Sequence, residues 1–346
     1  MSVIRVLVVD DSAFMRKVIT DILESDDRIS VIGTARNGED GIKKINQLQP
    51  DVVTLDIQMP VMDGMTALQE IMKNSPLPVI MLSSLTSEGT SKTIEAISNG
   101  AVDFITKPSG SISMDMDKVQ AELIKKVVTA AEIKLPKVGQ FIKQPKITLG
   151  SQHQRDLKTI VAIGTSTGGP RALQHVLTKL PGDLPASILI VQHMPAGFTK
   201  SLAERLNSLC AIHVKEASDG ESLRESTVYI APGNYHMKVN GTRIQLTQDE
   251  PVHGHRPAVD TLFNSLAKSR HYNKFAVILT GMGSDGSNGI RSLKREDPNT
   301  IVLSEAEDSA VVYGMPFAAV KTKLVDHVIP LQEMGPTIST FVLGNK

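Results

Sequence analysis

At 346 residues the chain is too long for one ordinary core, so two domains, each burying a core of its own, are expected. Thirty-seven basic residues balance thirty-seven acidic ones, which removes the polycationic field that would point to nucleic acid or an anionic membrane. The opening residues lack a basic n-region and a cleavage site, and no apolar run approaches the length of a membrane span, so a soluble, cytoplasmic protein without membrane insertion is expected.

From the N-terminus, strand-like runs at Arg5 to Val9, Val31 to Ala35, Val52 to Leu55, Val79 to Leu82 and Asp103 to Ile105 alternate with amphipathic, helix-like stretches. Right-handed crossovers turn such a (βα)5 pattern into a parallel sheet covered on both faces, with any site beyond the strand C-termini. Asp10 and Asp11 end the first run, Asp56 the third and Ser83 with Ser84 the fourth, while Lys107-Pro108 follows the fifth. Carboxylates gathered at one edge repel one another unless a cation sits among them, and hard oxygen donors suit magnesium. A carboxylate held there can attack phosphorus while metal and lysine take up the phosphoryl charge and a hydroxyl bonds the product. Singly, each residue could equally cap a helix or end a strand.

Taken together, these strand ends resemble the receiver domain of two-component response regulators. The resemblance implies that Asp56 accepts phosphate from a histidine kinase, that Asp10, Asp11 and Asp56 hold Mg2+, and that the Gln58 carbonyl completes the coordination. Ser83 and Lys107 would contact the phosphoryl group, and Phe104 stands where receivers carry a switching aromatic. Met59-Pro-Val-Met-Asp-Gly64 matches the loop after the phosphorylated aspartate. Serine instead of threonine at position 83 keeps the hydroxyl and loses only a methyl.

Between residues 135 and 158 the periodicity fades into Pro136, Gly139, Pro145 and Gly150 among lysines and glutamines, as in a semi-flexible linker. Beyond it a second α/β pattern begins: Thr159 to Ile163, Ser187 to Gln192, Thr227 to Ile230, Phe275 to Leu279 and Thr300 to Leu303 read as strands of a doubly wound, mostly parallel sheet. A β-hairpin, Tyr235 to Val239 and Thr242 to Thr247, interrupts them, with Asn240-Gly241 predicting a type I′ turn. The first strand breaks at Gly164-Thr-Ser166-Thr-Gly168, and Pro170 then opens a helix whose Ala172, Leu173, Val176, Leu177 and Leu180 share one face. Free backbone N–H groups at that helix start favour an oxyanion or a phosphate, and G-x-S-x-G exposes a serine on a tight turn. A nucleophile, a phosphate cradle and a plain turn all fit these residues.

A serine nucleophile needs a base, and nine histidines compete. His193 directly follows the second strand and so emerges at the same sheet edge as Ser166. His175, inside the following helix, His271 and His327, in polar stretches, and His153, in the linker, read as bystanders. His253 and His255 flank Gly254 and are the second choice, as site-lining residues or the edge of a metal site, although no carboxylate or cysteine cluster accompanies them. Asp285, in the glycine-rich loop Thr280-Gly-Met-Gly-Ser-Asp285-Gly, is the expected orienting carboxylate, accepting the imidazole Nδ1–H; Asp260, inside a predicted helix, is second. Cys210, in Leu206-Asn-Ser-Leu-Cys-Ala-Ile, reads as core, not as a thiol nucleophile.

The segments around Ser166, His193, Ala231 to His236, His255 to Asp260 and Thr280 to Gly286, with the order of the two domains, resemble the chemotaxis protein-glutamate methylesterases of the CheB family. The resemblance implies a receiver (1–134), a linker (135–158) and a hydrolytic domain (159–346) with Ser166, His193 and Asp285 as its triad. Thr167 would donate to the oxyanion, with Met282 beside it and His255 lining the site. The implied activity is methyl-ester removal from glutamates of chemoreceptor cytoplasmic helices, with deamidation of certain glutamines, and without a cofactor for the ester hydrolysis. The receiver is expected to restrain the esterase until Asp56 is phosphorylated. A ligand-binding response regulator that uses the Gly-rich loop only as a phosphate cradle is the alternative.

Overall fold

The computed structural model describes residues 3–107, 116–133 and 158–344. The chain divides into two compact units, Met1–Val138 and Gly139–Lys346. Pro108, His153 and the expected linker up to residue 157 lie outside the described residues. Among the described residues no helix is long and apolar enough to cross a membrane.

In the first unit β1 (Ile4–Val9), β2 (Ile29–Ala35), β3 (Val52–Asp56), β4 (Val79–Ser83) and β5 (Asp103–Thr106) alternate with five helices. These are α1 (Ala13–Glu24), α2 (Gly38–Leu48), α3 (Gly64–Asn74), α4 (Ser87–Ser98) and α5 (Met116–Ala131). The strands pair in parallel in the order β2-β1-β3-β4-β5. Val6 to Val9, Val52, Val53 and Val79 to Leu82 are almost completely buried, as continuous β-branched and aliphatic runs covered on both faces must be. Side-chain caps start α1 to α4: Ser12, Asn37, Asp63 and Thr86 each accept a first-turn backbone N–H.

The second unit opens with β6 (Lys158–Thr165), α6 (Gly169–Leu177), β7 (Ala186–Gln192), α7 (Phe198–Leu209), β8 (His213–Glu216) and β9 (Thr227–Ile230). A hairpin, β10 (His236–Asn240) and β11 (Arg243–Thr247), then leads into α8 (Val259–Ala267) and β12 (Tyr272–Ile278). The unit closes with α9 (Ser287–Glu296), β13 (Ile301–Glu305), α10 (Met315–Lys321), β14 (His327–Ile329) and α11 (Leu331–Leu343). The sheet runs β14-β13-β12-β6-β7-β9-β8, parallel throughout. The edge strands β8 and β14 escape the sequence pattern because each is short and half-polar, and β14 contains His327. From β6 the chain winds first toward β8 and then back to β12, so the sheet centre is a topological switch point, where crevices form beyond the strand ends.

One local expectation is overturned. Asn240 pairs with Arg243, so the hairpin loop is Gly241-Thr242 and not Asn240-Gly241. Gly241 has φ 60 and Thr242 is not among the positive-φ residues, the pattern of a type II′ turn with glycine first. The longer register lets Asn240 remain in the ladder.

Candidate active site

Ser166, His193 and Asp285 stand just beyond the C-termini of the three adjacent central strands β6, β7 and β12. The backbone ties these ends together: His193 N–H donates to the Thr165 carbonyl (3.1 Å) and Ser166 N–H to the Thr280 carbonyl (3.0 Å). Gln192 Nε2 donates to the carbonyls of Ser166 (2.9 Å) and His193 (3.1 Å), bridging nucleophile and base from below. Gly281 lets the β12 loop pass against the serine, since a Cβ there would lie 2.8 Å from Ser166 Cβ and 2.4 Å from Met315 Sδ. Ser166, 9% exposed, precedes the glycine start of α6, the end of the helix dipole that favours negative charge.

His193 Nε2 lies 2.8 Å from Asp285 Oδ2. This corrects the expected Nδ1 contact: the ring is used in the opposite sense, and Nδ1 is buried without a hydrogen-bond partner. With Nε2–H donated to the carboxylate, Nδ1 is the basic nitrogen. His255 stacks on His193, centroids 3.9 Å apart and planes 7° from parallel, which makes it a neighbour that fixes the ring plane. His253 Nε2 sits 3.6 Å from Asp260 Oδ2 on the flank.

Asp285 is 2% exposed. Burial raises its carboxyl pKa, but His193 and the backbone N–H groups of Asp260 and Val259 outweigh that and hold it below the usual carboxylate range. Those N–H groups, Val259 to Oδ2 (2.7 Å) and Asp260 to Oδ1 (2.8 Å), are the first turn of α8, so Asp285 also serves as that helix's anion. Asp260 is thereby neither a surface acid nor a rival partner for His193. Its side chain is buried, accepts from Gly289 N–H (2.7 Å) and is pushed up by burial first. Cys210 is half-buried, not core, and burial pushes its thiol up to about 11, far from a thiolate nucleophile at neutral pH.

Two residues of this edge escaped the sequence reading. Thr280 accepts Ser166 N–H through its carbonyl and donates its hydroxyl to the Thr167 carbonyl (2.9 Å). Glu305, wholly buried at the end of β13, accepts Thr280 N–H at 2.8 Å. An acid closing an apolar strand at the site edge was the available signal, hidden because the strand was expected to stop at Leu303. Burial pushes the Glu305 carboxyl up to about 7 and Asp308 adds to this, against the lowering by Thr280 N–H and Ser309. Between its ordinary 4.5 and about 7 the folded chain therefore holds a proton that the unfolded chain has lost. Stability from this group falls as pH rises through that window, by up to about 1 kcal/mol per pH unit. Glu305→Gln is expected to flatten that part of the curve in urea melts run from pH 5 to 8; an unchanged curve would contradict it.

In the first unit, one oxygen from each of Asp10, Asp11 and Asp56 lies within 4.8 Å of the others, the only such cluster of three potential metal ligands among the described residues. Lys107 Nζ bridges Asp10 Oδ2 (2.8 Å) and Asp56 Oδ2 (2.7 Å). Burial raises the Asp56 carboxyl pKa and Asp10 adds to it, with Lys107 opposing. Burial tends to lower the Lys107 ammonium, but the two carboxylates win and raise it. Ser83 is buried at the end of β4, where Thr93 Oγ1 donates to its hydroxyl at 2.5 Å, and Gln58 follows Asp56 on the loop. Phe104 is buried, its ring covered by Lys126 Nζ at 5.0 Å. Three converging hard oxygens suit a small divalent cation such as magnesium.

Comparison with known proteins agrees with both units. Residues 161–338 match the family model described as CheB methylesterase, and residues 6–116 match the response regulator receiver domain. The chain is 54% identical over 340 residues to a protein-glutamate methylesterase/protein-glutamine glutaminase of Oceanobacillus iheyensis, covering 96% of this chain and 97% of that one. It is 48% identical to the enzyme of the same name from Bacillus subtilis, covering 98% of each. The solved Thermotoga maritima CheB methylesterase catalytic domain superposes with a TM-score of 0.50 at 39% identity, over 53% of this chain and 98% of that one. A receiver joined to a catalytic unit of this kind, matched along nearly the whole chain, places the protein in the CheB methylesterase family.

Proposed function

We infer that this chain is a serine esterase controlled by phosphorylation, which removes methyl esters from glutamate side chains of chemoreceptors and deamidates receptor glutamines. The observation that carries this reading is the buried His193, bonded to Asp285 through Nε2 and holding an unpartnered Nδ1 at the strand edge that presents Ser166. Ser166 Oγ adds to the ester carbonyl as its proton passes to His193 Nδ1, and Asp285 stabilises the imidazolium. The oxyanion forms at the start of α6, where Thr167 follows the nucleophile and Met282 adjoins it. Collapse expels the methoxy oxygen, which takes the proton from Nδ1 and leaves as methanol. Water then adds to the acyl-enzyme with His193 again as base, releasing the glutamate side chain; with glutamine the leaving group is ammonia. A phosphate cradle would need no buried imidazole–carboxylate pair beside it.

In the receiver, Asp56 is the phosphoacceptor, a histidine kinase the donor, and Asp10, Asp11, Asp56 and the Gln58 carbonyl the residues that would hold magnesium. The bound metal supplies charge neutralisation for the transferring phosphoryl group. Ser83 and Lys107 receive the new phosphoryl oxygens, and Phe104 answers the change. The reading is tested by methanol release from methylated chemoreceptor fragments: wild type is expected to release it and Ser166→Ala is not, whereas equal release by both overturns the assignment.

A further inference from the structure

A carboxyl group at the end of an apolar strand, with no accessible surface, survives folding only if its oxygens are bonded. Glu305 uses both. Oε2 accepts Thr280 N–H (2.8 Å) and Oε1 accepts the Ser309 hydroxyl (3.2 Å), while Ser309 Oγ itself accepts Leu331 N–H (3.0 Å). The carboxyl thus joins the end of β13 and the start of α11 to Thr280, the second residue after β12.

Thr280 passes that anchorage to the nucleophile. Its carbonyl accepts both Ser166 N–H (3.0 Å) and Thr165 Oγ1 (2.9 Å), and its hydroxyl donates to the Thr167 carbonyl (2.9 Å) while accepting Val312 N–H (2.9 Å). Three consecutive residues of the nucleophile turn, Thr165, Ser166 and Thr167, are therefore held by one threonine, and that threonine's own N–H is held by Glu305. Gly281 and Met282 continue directly from it, with Gly281 N–H bonded to the Val312 carbonyl (3.0 Å).

We propose that Glu305 is a positioning residue for the esterase reaction, acting through Thr280 to set the Ser166 turn against the Met282 loop. The proposal rests on the serine-esterase reading above. An apolar side chain at position 305 leaves Thr280 N–H buried without an acceptor. The β12 loop then relaxes toward other partners, and the serine and the oxyanion donors lose register. What the site needs from residue 305 is an accepting oxygen at the right reach, so glutamine serves and methionine, of similar volume, does not.

The test measures the acylation burst with p-nitrophenyl acetate on the full-length protein, together with kcat and KM for methylated receptor fragments. Glu305→Met is expected to slow the burst about ten- to a hundredfold with KM unchanged, and Glu305→Gln to stay within about threefold of wild type. A wild-type burst rate in folded Glu305→Met overturns the proposal, as does an equal loss in Glu305→Gln. Should Glu305→Met not fold, Glu305→Asp keeps the carboxyl group and withdraws it by one methylene; slowed acylation supports the proposal and a full rate overturns it. A burst that persists in Ser166→Ala would sink the esterase reading itself, a result separate from an unaffected Glu305→Met beside a Ser166-dependent burst.

Discussion

Ser166→Ala and His193→Ala are each expected to lower turnover of receptor methyl esters by up to about a millionfold, and the double variant by hardly more. The reason is the shared proton path. Without Nδ1 the hydroxyl is a poor nucleophile, and without the hydroxyl the imidazole has nothing to deprotonate, so either loss removes the same event. Asp285→Asn is expected to fall by about ten-thousandfold, because its amide can donate toward Nε2 and so place the imidazole proton on Nδ1, facing the serine. His255→Ala loses a stacked neighbour but no proton acceptor, and should retain most activity. Steady-state kinetics on variants shown to be folded by circular dichroism checks all five. Losses that add between Ser166 and His193, or an inactive His255→Ala beside a normal His193→Ala, would break the shared path.

How far the site could be read from the chain depended on the kind of information each residue carries. That Ser166, His193 and Asp285 meet was legible because Ser166 and His193 directly follow apolar strands and Asp285 lies in the loop after a third, and parallel strands deliver their C-terminal ends to one edge. The same logic exposed Asp10, Asp56, Ser83 and Lys107. Which imidazole nitrogen faces Asp285 was not legible, because it depends on how the loop after β7 enters and on the pose of α8, whose N–H groups fix the carboxylate. The hairpin turn slipped by one residue because Gly241 satisfies either turn type and only the strand register chooses. Glu305 was hidden for a similar reason: its partner, Thr280 N–H, is a backbone group twenty-five residues away, and backbone groups leave no trace in a sequence.

Acetyl phosphate with magnesium is expected to stimulate the full-length chain but neither Asp56→Ala nor the fragment 139–346. That fragment should hydrolyse receptor esters without any phosphodonor, faster than the unphosphorylated full chain. Its independence has structural grounds: the second unit carries its own buried core and sheet, and a relative's catalytic domain that matches 53% of this chain has been solved by itself. Control by the first unit is inexpensive in affinity. A tether of about twenty residues, the length expected from the sequence for 135–158, would give an effective concentration near millimolar, at which a weak interaction would suffice for the proposed restraint. Moving from mostly restrained to mostly active then needs about 5 kcal/mol of differential stabilisation, which a phosphoryl group would supply by taking over the bonds of a half-buried lysine. Lys107, which spans Asp10 and Asp56, is the lysine proposed for this role. Lys107→Ala should still accept phosphate on Asp56, seen by phosphate-affinity electrophoresis, yet respond with little gain in ester hydrolysis, because no ammonium follows the new charge. A fragment no faster than the silent full-length chain would exclude restraint in cis and leave the receiver to act by recruiting substrate.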